Sequence, residues 1–246
     1  MASAARFRFH GSLNDFLHHS QKDNWISYTF RELPAIKDTI EAIGVPHPEV
    51  DVILVNGKAV NFTYKLQPDD VVEVYPAGTL QSINLIPEPK NPLRFVLDVH
   101  LGKLARLLRM LGFDTIYDPA LSEKQIVGIA LSEERILLTR GTEILKLKTI
   151  KYGYWLRSQD PEIQLREVIT YYNLTALMFR LFSRCLVCNG EIKQVQKEAI
   201  QAQLPPKTQL YFHEFYQCSN CRRVYWKGSH FERMQEFIQT LREPEN

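Results

Sequence analysis

The sequence predicts an α/β protein in three parts: a small α+β unit over residues 1–80, a mostly parallel sheet with covering helices over 94–182, and a cysteine-bearing ribbon with a C-terminal helix over 183–246. Three observations predict it. Before residue 80 the apolar pattern reads strand, strand, helix, strand, strand. After residue 94 it reads strand, helix, strand, helix, strand, the alternation that builds parallel sheets. All four cysteines of the chain fall late, as Cys185-Leu-Val-Cys188 and Cys218-Ser-Asn-Cys221.

The first part begins with Arg6-Phe7-Arg8-Phe9, which alternates polar and apolar as a half-buried strand does. Residues 25–30 supply a second strand. Residues 33–43 have helical spacing, with Ile36, Ile40 and Ile43 on one face and Gly44 ending the run. Residues 52–55 and 59–62 flank Asn56-Gly57, a strong hairpin turn. Asp69-Asp70 precedes a last strand, Val71 to Tyr75. This order, with Val55-Asn56-Gly57 and Asp70-Val71-Val72-Glu73-Val74-Tyr75-Pro76, resembles the β-grasp, ubiquitin-like fold of small sulfur-carrier proteins. Those carriers need a free C-terminal Gly-Gly. Here the equivalent stretch is Pro76-Ala77-Gly78-Thr79 inside a longer chain, which favours a binding or structural module with a protein partner. Residues 81–93 carry Pro87, Pro89 and Pro92 and read as a linker.

In the second part, Phe95-Val96-Leu97 is a short strand ending at Asp98. Residues 101–111 form a helix whose stripe is Leu101, Leu104, Ala105, Leu108 and Leu111, stopped by Gly112. Residues 113–117, 136–139 and 152–156 read as strands, and 123–132 and 161–172 as helices.

The paired Cys-x-x-Cys turns are 29 residues apart. In a chain without a secretion signal this reads as tetrahedral Cys₄ coordination of a structural Zn²⁺ by Cys185, Cys188, Cys218 and Cys221. Residues 193–200 and 210–216 are expected to supply ribbon strands, and His213 and His230 are spare ligand candidates.

Carboxylates just past the strand ends are placed where a divalent ion is held in an open parallel sheet. Asp98 follows its strand directly, Glu123 opens a helix, and Glu143 follows Ile136 to Thr139. The motifs Phe95-Val96-Leu97-Asp98, Leu101-Gly102-Lys103-Leu104-Ala105-Arg106-Leu107-Leu108-Arg109, Leu111-Gly112-Phe113-Asp114-Thr115, Arg135-Ile136-Leu137-Leu138-Thr139-Arg140, Ser183-Arg184-Cys185-Leu186-Val187-Cys188-Asn189-Gly190 and Tyr225-Trp226-Lys227-Gly228-Ser229-His230 resemble the Mut-7 C-terminal RNase domain family, a PIN-like nuclease fold with a zinc ribbon. The resemblance covers residues 94–241, and a preceding ubiquitin-like module is a known pairing. It implies Mg²⁺- or Mn²⁺-dependent RNA cleavage by Asp98, Glu123 and Glu143. The family usually has Asp directly after Leu-Thr-Arg, where this chain has Gly141. A weakened or inactive RNA-binding protein is therefore the alternative reading.

The formal net charge of +2 is too small to argue for nucleic acid, but its distribution favours a polyanion partner in the later part of the chain. Of the 30 Lys/Arg and 28 Asp/Glu, residues 1–90 hold 8 and 11, which leaves 22 and 17 for the rest. Lys103, Arg106 and Arg109 recur every third residue after Asp98, and Arg140 flanks Gly141. They are the expected phosphate contacts, with a plain solvated helix face as the other reading. Arg222, Arg223, Tyr225, Trp226, Lys227 and His230 make a basic and aromatic cluster, open either to base stacking or to packing within the ribbon. With no long apolar run and no signal-peptide core, no membrane partner and a cytoplasmic location are expected.

Overall fold

A computed structural model describes residues 2–77, 92–228 and 236–239. In chain order the elements are β1 (Ser3–Phe9), β2 (Ile26–Phe30), α1 (Ile36–Ile43), β3 (Val50–Val55), β4 (Lys58–Val60), β5 (Val71–Pro76), β6 (Arg94–Leu97), α2 (Gly102–Met110), β7 (Asp114–Ile116), α3 (Glu123–Ser132), β8 (Ile136–Thr139), α4 (Thr142–Leu145), β9 (Gly153–Trp155), α5 (Pro161–Tyr171), β10 (Ile192–Val195), α6 (Pro206–Tyr211), β11 (Phe215–Cys218) and β12 (Val224–Trp226). The predicted linker over 81–93 lies almost wholly outside the described residues, as does His230. Two compact units result, Met1–Pro92 with Ser122–Trp155, and Leu93–Leu121 with Leu156–Asn246.

The first unit opens with a five-stranded sheet in the order β2-β1-β5-β3-β4. Its one parallel pair is β1 with β5, and the rest are antiparallel, which is the β-grasp arrangement. The alternation seen in the sequence has its cause here. Phe7, Phe9, Ile53, Val72 and Val74 face Ile36 and Ile40 of α1, and all are fully buried. The Asn56 turn is locked by Asp70. Asp70 accepts from Asn56 Nδ2 at 2.9 Å, Tyr64 Oη at 3.1 Å and the Gln67 amide at 2.7 Å, while Asn56 Oδ1 accepts from Val71 N at 3.0 Å. The same unit contains α3 and the parallel pair β8–β9. Ser122 and Gln125 form a capping box at the start of α3. The short helix α4 has no counterpart in the sequence reading. Four residues are too few to show a helical period.

The second unit contains the parallel pair β6–β7, and α2 and α5 with their apolar stripes inward. Phe95, Leu97, Leu101, Leu104, Ala105, Leu108 and Leu165 are fully buried. The ribbon sheet runs β10-β11-β12, antiparallel throughout. The expected strand over 210–216 is corrected. Pro206 stands at the first position of a helix, where its fixed φ is favourable, and α6 runs to Tyr211 before β11 begins at Phe215. The strand expected over 193–200 ends at Val195 and gives way to a single turn, Lys197–Ala199.

Gly112 closes α2 at φ +93°, and a Cβ there would meet Arg180 O at 2.2 Å. The Arg180 amide donates to Leu111 O at 2.9 Å, so the segment leading to the ribbon lies directly on the end of α2. Gly112→Ala is expected to destabilise this unit by about 2 kcal/mol or more, because strain and backbone clash add. Urea unfolding followed at the β6–β7 amides is the measurement.

Candidate metal centre and candidate catalytic site

Two tight turns present the four cysteines to one point. Cys185 Sγ and Cys221 Sγ are 3.6 Å apart, Cys188 Sγ and Cys218 Sγ are 3.4 Å apart, and all four ligand atoms lie within 4.8 Å of one another. A zinc tetrahedron with bonds of ~2.3 Å has edges of about 3.8 Å. The quartet therefore fits a tetrahedral metal ion such as zinc. Asn189 turns the chain at φ +64°, and Gly190 must stay small because a Cβ would meet Cys218 Sγ at 2.8 Å. His213 is exposed and outside the quartet.

Burial raises the Cys188 thiol, but the Gly190 amide and the neighbouring thiols outweigh it and draw the pKa to about 6. Burial pushes Cys221 up to about 12, with the other three sulfurs adding to the rise. A bound cation removes that repulsion and lets all four ionise. Tyr225 Oη hydrogen-bonds Cys185 Sγ at 3.0 Å, and burial and that sulfur both raise its phenol, which stays protonated.

The first cysteine turn is seated on α2 and β7 by Arg109. The expectation of Arg109 as a phosphate contact is corrected. Its side chain is 3% exposed. Nε donates to Thr115 O at 3.0 Å, Nη1 to Leu186 O at 3.2 Å and Val187 O at 2.9 Å, and Nη2 to Tyr117 O at 3.4 Å. Burial lowers the guanidinium's pKa, and the charges of Cys185, Cys188 and Asp114 oppose that. Asn189 completes the seat: Oδ1 accepts from Thr115 N at 3.0 Å and Nδ2 donates to Asp114 Oδ1 at 2.7 Å. Arg184 Nη2 lies 3.7 Å from Asp114. Sequence reasoning missed Arg109 and Tyr225 as parts of this centre. The three-residue period of Lys103, Arg106 and Arg109 suggests one face, but each step of three drifts about 60°, so Arg109 lies about 120° round the helix from Lys103 and turns inward.

The carboxylates are placed as follows. Asp98 stands at the end of β6, half-buried, with Oδ1 accepting from His100 N at 2.9 Å. Lys103 and Arg106 are exposed on α2, which follows. In the other unit Glu123 is exposed at the first turn of α3. Glu143 is exposed on α4, and its bond to Lys146 Nζ at 2.7 Å lowers its pKa. Arg140 is half-buried just before Gly141. Among the described residues the cysteines are the group of three or more potential ligands drawn this close. In the ribbon Tyr225 is committed to Cys185, and Trp226 packs with Phe212, Phe215 and Leu204. Packing within the ribbon accounts for both rings, while Arg222, Arg223 and Lys227 stay exposed.

The family model of the Mut7-C RNAse domain matches residues 93–238, and that of Mut7-C ubiquitin matches residues 2–82. Among curated proteins, "Exonuclease mut-7 homolog" of Homo sapiens is 32% identical over 106 residues, 41% of this chain. The match spans 12% of the human protein. No solved structure matches.

Purified chain is expected to carry one zinc equivalent, lost in Cys188→Ser. Retention should fall as pH falls, because acid reprotonates the thiolates that bind the ion. Competition against a zinc indicator across pH measures both. Arg109→Leu is expected to speed zinc loss to a chelator about tenfold, since several loop carbonyls lose their donor. Lys103→Leu should leave that rate unchanged.

Proposed function

This chain belongs to the Mut7-C RNase domain family, and from that premise we propose that it hydrolyses RNA phosphodiester bonds with a divalent cation. The observation that carries the proposal is Asp98. It stands at the carboxyl end of a parallel strand, the usual place for a site in such sheets, with one oxygen fixed by His100 N. The donor set is all carboxylate oxygen, which suits Mg²⁺ or Mn²⁺. Asp98, Glu123 and Glu143 are the residues proposed to hold the ion, with Glu143 released from Lys146. When bound, the ion supplies Lewis acidity toward the phosphate and a hydroxide at neutral pH. Lys103, Arg106 and Arg140 are proposed to hold the RNA backbone, which they do without reading its sequence.

The proposal extends to the cysteine quartet as a structural Zn²⁺ site, because four thiolates leave no open coordination position. No helix among the described residues is long and apolar enough to cross a membrane. A cytoplasmic site of action is part of the proposal, and the four unpaired thiols suit a reducing compartment.

Gly141 favours a second reading, an RNA-binding protein whose cleavage has decayed. The position itself tolerates a side chain. Its φ is −103°, and a Cβ would meet nothing closer than Thr139 Oγ1 at 3.7 Å. Cleavage of labelled RNA in Mn²⁺ or Mg²⁺ is expected, falling at least a hundredfold in Asp98→Ala and rising in Gly141→Asp. Lys103→Glu with Arg106→Glu should weaken RNA binding and flatten its salt dependence. Absence of cleavage in the parent chain, with cleavage gained in Gly141→Asp, selects the second reading. Absence in both sinks the hydrolytic proposal.

A further inference from the structure

The ubiquitin-like sheet and the strand pair β8–β9 share one unit, and one of the groups that join them is a buried carboxylate. The turn His47–Glu49, held between Pro46 and the start of β3, turns Glu49 inward until it is fully buried. Glu49 Oε1 accepts from the Trp155 amide at 2.7 Å. Trp155 ends β9, which pairs in parallel with β8 through Thr139. Its ring lies 5.0 Å from that of Phe16, and Asp38 Oδ1 meets Lys148 Nζ at 3.3 Å nearby.

A carboxylate taken out of water is costly unless donors receive it. One donor it receives is a strand amide, where a further strand of a sheet would ordinarily offer a carbonyl. The consequence reaches the proposed catalytic segment. Trp155 Nε1 donates to Arg140 O at 3.1 Å, and the next residue's amide, Gly141 N, donates to Thr139 Oγ1 at 2.9 Å. The turn that leads into α4 and Glu143 is thus held from one side by Thr139 and from the other by an indole. That indole is itself fixed by a residue of the ubiquitin-like module.

We propose that this module acts on its own chain: Glu49 fixes Trp155, Trp155 fixes the Arg140 carbonyl, and Glu49 and Trp155 are positioning residues for the 140–143 segment. The partner that the module fits is the β9 strand of the same chain. The mechanical claim stands on the contacts alone; its effect on cleavage rests on the hydrolytic reading above.

Amide hydrogen exchange on the full chain separates the two. Glu49→Ala is expected to raise exchange about tenfold or more at 153–155 and at 140–143. Glu49→Gln, whose amide oxygen still accepts, should stay near the parent. Trp155→Phe keeps the amide bond to Glu49 but lacks the indole donor, so exchange should rise at 140–143 while β1, β3 and β5 are unaffected. Where RNA is cleaved, Trp155→Phe should lower kcat with little change in KM. Unchanged exchange at 140–143 in Trp155→Phe overturns the proposal, even if Glu49→Ala fails to fold. A parent chain that shows this exchange pattern but cleaves no RNA overturns the hydrolytic reading and leaves the coupling intact.

Discussion

The second unit depends on one guanidinium held in a cage of carbonyls. A metal turn of the Cys-x-x-Cys type has little apolar surface with which to dock, and its backbone carbonyls point outward. Arg109 supplies what the turn lacks. A planar fork of five donors can serve several carbonyls at once, and here it serves Thr115 and Tyr117 on one side and Leu186 and Val187 on the other. A lysine in its place has no fork and could not span both. The cost of burying the charge is offset by those bonds and by the negative sulfurs nearby.

The same constraint explains two of the motifs that carried the family resemblance. Leu111-Gly112-Phe113-Asp114-Thr115 and Ser183-Arg184-Cys185-Leu186-Val187-Cys188-Asn189-Gly190 are far apart in sequence, yet they are the two halves of one joint. Gly112 makes room for the Arg180 carbonyl, and Asp114 and Thr115 receive Asn189. Asp114 meets Arg184 as well. These residues hold the metal turn in place, so their presence speaks for the ribbon's seat and not for the reaction. The residues proposed for the reaction are fewer: Asp98, Glu123 and Glu143.

Much of the fold was legible because apolar period and turn chemistry act locally. The succession of strands and helix in the first part, the helices over 101–111 and 123–132 and the strand over 136–139 followed from spacing, the β-grasp from a resemblance to a known fold, and the cysteine quartet from its paired turns. The ribbon was less legible. Its strands are short and half-exposed, so alternation is weak, and Pro205-Pro206 redirected residues 206–211 into a helix. The family likeness named the acids, but spacing alone could not have separated them from ordinary surface carboxylates. Nothing local marks Glu49, whose role depends on an amide 106 residues away. Long-range partners of single polar groups leave no period behind.

That limit bears on how charge is read. The excess of positive residues after residue 90 suggests a polyanion partner, but some of that charge is spent inside. Arg109 is 3% exposed and Arg135 5% exposed, the latter paired with Glu133 at 2.8 Å. The acidic first part is spent in the same way, at Asp70 and Glu49. At Arg109, Asp70 and Glu49 a charged side chain closes a seam between segments by satisfying backbone or side-chain groups that apolar packing could not. The positive charge that stays exposed after residue 90 includes Lys103 and Arg106 on α2, Lys124 on α3, Lys148, Lys151 and Arg180 in loops, and Lys193, Lys207, Arg222, Arg223 and Lys227 in the ribbon. This set is spread over several elements. Because phosphate attraction falls off over a Debye length of ~8 Å at physiological salt, each group would act only on a backbone passing near it, and net charge alone is a poor guide to where a polyanion would lie.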